Sequence, residues 1–98
     1  METTLIQPVP VLNGLPVTLP REGAVDIELD QGALVFRVSQ TAQERIENLL
    51  LKQRESGLTS DEEQELNQYE EVDDYLSYLN RLIRNLVQAQ QEGLLHAS

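Results

Sequence analysis

The chain contains no cysteine, which removes disulfide staples and thiolate metal sites together. Tryptophan is also absent, and the aromatic complement is one phenylalanine and three tyrosines. A single histidine, His96, stands near the end of the sequence, where few neighbours could hold it as a general base. Ser39, Ser56 and Ser60 fall at expected helix boundaries, so capping accounts for them. With no cysteine and no placed histidine, the sequence offers no nucleophile–base pair. It has no phosphate-cradling glycine loop either. The expectation is a protein that is not an enzyme and uses no cofactor.

Basic residues are scarce: 7 against 17 acids, for a formal charge of −10. Such a balance opposes non-specific nucleic-acid binding and favours partners with a basic surface. No apolar run approaches the ~20 residues that cross a bilayer. The opening Met1-Glu2-Thr3-Thr4 carries no basic segment ahead of an apolar one. Together these predict a soluble cytoplasmic protein. At 98 residues the chain is a single domain near the lower end of independent folding, where oligomerisation or a partner adds stability.

Proline and glycine divide the chain near Val38. All four prolines and three of the five glycines precede it, among short β-branched runs. After it, glycine occurs only at Gly57 and Gly93, and the pattern turns helical. Residues 1–40 therefore read as a β-hairpin region, 41–91 as a two-helix region and 92–98 as a flexible tail. The fold class is α+β, with N-terminal β-hairpins followed by a helical hairpin whose long C-terminal helix is amphipathic and acidic.

Two hairpins are predicted. Asn13-Gly14 between residues 9–12 and 15–19 suits a type I′ turn, with Pro10 and Pro16 confining both arms to edges. In the second, Val25, Ile27 and Leu29 alternate with Asp26, Glu28 and Asp30. Gln31-Gly32 forms its turn, and Leu34, Phe36 and Val38 return on one face. The first helix is expected to start at Thr41 with Glu44 completing a capping box, to carry Ala42, Ile46, Leu49 and Leu50 at helical spacing, and to end before Gly57. The second repeats the device with Thr59 and Glu62, and can run to about Gln91, about 48 Å at 1.5 Å per residue.

Along this second helix Tyr69, Val72, Leu76, Leu79, Ile83 and Leu86 recur at alternating spacings of three and four, the heptad pattern of a helix that lies on another helix. Tyr75 and Leu82 broaden the stripe. Core packing is the default for the tyrosines, yet tyrosine and leucine on an acidic helix also suit an interface. The predicted partner-binding residues are Asp73, Asp74, Tyr75, Tyr78, Leu79, Leu82 and Leu86. Glu70 and Asp74 stand one turn apart, as two ligands of a hard cation do. No EF-hand loop or Glu-x-x-His pair accompanies them, so no metal site is expected.

Two stretches resemble known families. Val17-Thr18-Leu19-Pro20 followed by Val25 to Val38, with Glu28, Gly32 and Arg37 in place, resembles the swapped-hairpin fold of AbrB- and MazE-like antitoxins. That resemblance implies a swapped dimer that reads DNA. Here, however, residues 21–24 replace the family's intervening helix, and the first 40 residues carry two arginines against five acids, which argues against direct DNA binding. Leu58-Thr59-Ser60-Asp61-Glu62-Glu63-Gln64-Glu65-Leu66, with Tyr69, resembles small acidic bacterial proteins, common in cyanobacteria, built around L-T-x-E-E-x-x-E-L-x-x-Y. That second resemblance implies an antitoxin-like or accessory role beside a toxin or nuclease. The expected function is a protein-binding module that occludes such a partner. The alternatives are a homo-oligomeric helical assembly module and an acidic nucleic-acid mimic.

Overall fold

The computed structural model describes residues 9–93. Its elements run β1 (Val25–Asp30), β2 (Ala33–Val38), α1 (Gln40–Glu55) and α2 (Ser60–Gln91). This is the expected α+β layout, with one antiparallel hairpin ahead of two helices. Pro8, His96 and most of the predicted tail lie outside the described residues.

The hairpin at Asn13-Gly14 does not form. Residues 9–24 contain no strand, because two prolines remove ladder donors from arms already short. The segment instead runs against α2. Pro16 is buried and its carbonyl accepts from the Leu19 amide at 3.1 Å, a turn that folds Leu19 back onto the core. The second hairpin forms as read. Gln31 (φ 52°) and Gly32 (φ 86°) make a two-residue turn with both central residues left-handed, as a type I′ turn requires. It pairs Ile27 with Phe36 and Leu29 with Leu34.

The first helix begins earlier than its sequence suggests. Ser39 is the N-cap: its hydroxyl accepts from the Ala42 amide at 3.2 Å, and its own amide donates to the Ala24 carbonyl at 2.9 Å. The cap therefore follows β2 without a connecting loop, which leaves Thr41 inside the helix. At the far end the Gly57 amide returns to the Lys52 carbonyl at 2.9 Å, with Gly57 at φ 88°. That is the left-handed stop expected of glycine there. Thr59 and Glu62 form the predicted capping box, with bonds of 3.1 and 2.9 Å.

The core is small. Val38, Ala42, Leu49, Leu66, Tyr69 and Val72 are buried together, and Leu19, Ile46, Leu58 and Leu76 pack around them. Leu50 points outward, 41% exposed, because the single stripe of α1 that meets α2 is filled by Ala42, Ile46 and Leu49. Along α2 the burial fades. Tyr69 is fully buried and Val72 nearly so, but Leu86 is 50% exposed. A straight helix drifts ~20° per heptad against a strict seven-residue repeat, so Ile83 and Leu86 have turned about 40° from Tyr69 and Val72. They have also passed beyond Gln40, where α1 begins.

Candidate functional site

The motif running from Leu58 to Tyr69 is occupied by folding. Glu65 sits 6% exposed on α2 and accepts from Arg45 of α1 through both oxygens, each at 2.8 Å. Thr18 donates to the same carboxylate, and with its proton so committed it accepts from the Tyr69 hydroxyl at 2.7 Å. Three segments thus meet on one carboxylate. The Arg45 bonds hold Glu65 below the usual glutamate range, overcoming the burial that acts the other way. Reciprocally, the guanidinium is raised, chiefly by its bond to Glu65. Glu62, bonded to Lys52 at 2.7 Å and to the Thr59 amide, is lowered to about 2.

A groove of about 570 Å³ opens between α1, α2 and β2. Its floor is Phe36, Val38, Ile46, Tyr69 and Leu76, and Glu47, Glu70, Asp73 and Asp74 stand around it against the single cation Arg37. Arg37 is itself engaged by Glu28 at 3.2 Å. Asn80 closes the β2 side: its amide nitrogen donates to the Phe36 carbonyl at 2.9 Å and its oxygen accepts from the Phe36 amide at 2.8 Å. One side chain thereby occupies the outer edge of β2 as a neighbouring strand would.

The predicted partner-binding residues divide between two faces. Asp73 and Asp74 are exposed and line this groove; Tyr75, Tyr78, Leu79, Leu82 and Leu86 do not. At 3.6 residues per turn, Tyr75, Leu79, Leu82 and Leu86 lie within about 60° of one another, and the two aspartates more than about 100° from the centre of that stripe. Leu82 and Leu86 are 38% and 50% exposed, Tyr75 and Leu79 are half-buried, and Tyr78 is buried outside the main core cluster. Sequence reasoning did not find Asn80 or Glu65 as organising residues. Neither carries a periodicity signal, because Asn80 acts on Phe36, 44 residues away, and Glu65 on Arg45 and Thr18, 20 and 47 residues away.

Among the described residues, no group of three or more histidine, cysteine or acidic side chains is arranged to hold a metal ion. No described helix is long and apolar enough to cross a membrane. No protein family, curated protein or solved structure matches the chain.

Proposed function

We propose that this chain is a non-enzymatic, cytoplasmic binding module that occludes a protein partner with a basic surface, in the manner of an antitoxin acting on a toxin or nuclease. The observation that carries the reading is the stripe Tyr75, Leu79, Leu82 and Leu86, whose distal half stays exposed on a helix continuing past its own core. Apolar anchors of this kind supply affinity once desolvated. The acids at Asp73 and Asp74 supply steering toward a basic rim. Because stripe and acids face different ways, the partner wraps α2 and does not merely receive one edge of it.

The reading is tested in the cells that encode the chain. Tagged protein should retain a basic partner at low salt, and adding the chain should suppress that partner's activity. Leu82→Arg with Leu86→Arg should lose both effects while circular dichroism stays unchanged. Retention that survives this double variant, or a partner whose activity is untouched, contradicts occlusion through the stripe.

A further inference from the structure

The hairpin carries a second free surface along β1, whose tip at Asp30 and Gln31 borders a cleft shared with Arg84 and Val87 of α2. The turn at Gln31-Gly32 closes on the pair Asp30 and Ala33, which in a two-residue loop is hydrogen-bonded. Alternation then makes Glu28–Val35 and Asp26–Arg37 hydrogen-bonded pairs and leaves Val25–Val38, Ile27–Phe36 and Leu29–Leu34 unbonded. Two contacts agree with this phase. Phe36 turns its amide and carbonyl away from β1 to Asn80, and Ser39 bonds Ala24 at the next bonded position. The amides and carbonyls of Val25, Ile27 and Leu29 consequently point outward, along an edge that no other strand among the described residues covers.

Every residue of β1 is exposed, Ile27 at 61% and Leu29 at 74%. The edge carries no proline or lysine, two common devices that block strand addition. We infer that β1 is a docking edge for an extended segment of a partner that alternates basic and apolar side chains, added as a third strand beside β1. Main-chain bonds to Val25, Ile27 and Leu29 would hold it. Its apolar residues would lie over Ile27 and Leu29, and its basic residues beside Asp26, Glu28 and Asp30 on the opposite face.

Charge selects this occupant over a second copy. Two β1 strands related by a two-fold axis would set acids against acids across the same face, and like charges directly opposite destabilise a strand pair. A chain of charge −10 adds to that repulsion.

The test uses the full chain, labelled with ¹⁵N, and a synthetic acetylated and amidated peptide Lys-Val-Lys-Ile-Lys-Val. Saturable shifts are expected across β1, with slowed hydrogen exchange at the Val25, Ile27 and Leu29 amides. Asp26→Asn with Asp30→Asn should weaken the peptide roughly threefold or more. A peptide with glutamate for lysine, or with its basic and apolar residues segregated, should fail to protect these amides. Ile27→Pro breaks no bond between β1 and β2 but takes away an outward amide and the Ile27 side chain, and should abolish binding. If that variant unfolds, a peptide N-methylated at the amides facing β1 gives the same readout on the unaltered protein. The inference is overturned by shifts confined to Asp73 and Asp74, or by equal binding of the segregated peptide. It is also overturned if the three amides are already protected in a dimer of the free chain.

Discussion

Arg45 and Glu65 face each other across the two helices in a two-pronged ion pair, nitrogen to oxygen 2.8 Å on both arms. The carboxylate is nearly buried and the guanidinium about one-third exposed. Removing one partner of a largely desolvated pair leaves the other uncompensated. Glu65→Gln keeps the shape and a hydrogen-bond acceptor but loses the charge, and should cost about 2 kcal/mol in urea unfolding. Glu65→Gln and Arg45→Met should be far from additive, since each removes the same interaction.

Acid should unfold the protein through these same carboxylates. Glu62 and Glu65 are both held below their ordinary value of 4.5, so the unfolded chain binds protons that the folded one refuses. Stability is fully present above about pH 4.5 and falls as pH drops toward the folded values, about 2 for Glu62. Thermal melts of the parent and of Glu65→Gln between pH 6 and pH 3 check this. The difference between them should shrink as pH falls.

Asn80→Ala should expose the outer edge of β2. The Phe36 amide and carbonyl lose their partners, at a cost of about 1–3 kcal/mol, and the Phe36 amide should exchange faster with solvent. Val35, whose backbone pairs with Glu28 on the other side, should be spared. Equal acceleration at both would mean that the hairpin had detached and not merely lost a cap.

Gly57→Val should cost about 1–3 kcal/mol by forcing a β-branched residue to φ 88°. Space is not the obstacle, because a Cβ there meets nothing within 4 Å. A variant as stable as the parent in denaturant titration would contradict the left-handed stop between α1 and α2.

Local signals were the legible ones. Thr59 with Glu62, Gly57 before it, and the alternation of Val25, Ile27 and Leu29 each encode their structure within a few residues. The failures came where distance in the chain decides. Thr41 and Glu44 have capping spacing, but Ser39 wins because β2 ends there with its amide already tied to Ala24. Asn13-Gly14 is a sound turn dipeptide, yet Pro10 and Pro16 deny its arms a ladder. The heptad from Tyr69 to Leu86 was visible throughout its length. How far along it burial extends depends on where α1 begins, which no periodicity on α2 records. The acidic residues at Asp73 and Asp74 looked like companions of the apolar stripe, and the turn of the helix separates them.

Sedimentation equilibrium of the purified full chain, over a hundredfold range of concentration, tests most directly that the α2 stripe awaits a different protein. The account predicts a monomer at micromolar concentration, with at most weak association at the top of the range that Leu82→Arg and Leu86→Arg remove. A dimer or tetramer that survives dilution, and that those two substitutions dissociate, would contradict it. The stripe would then be covered by the chain's own copy.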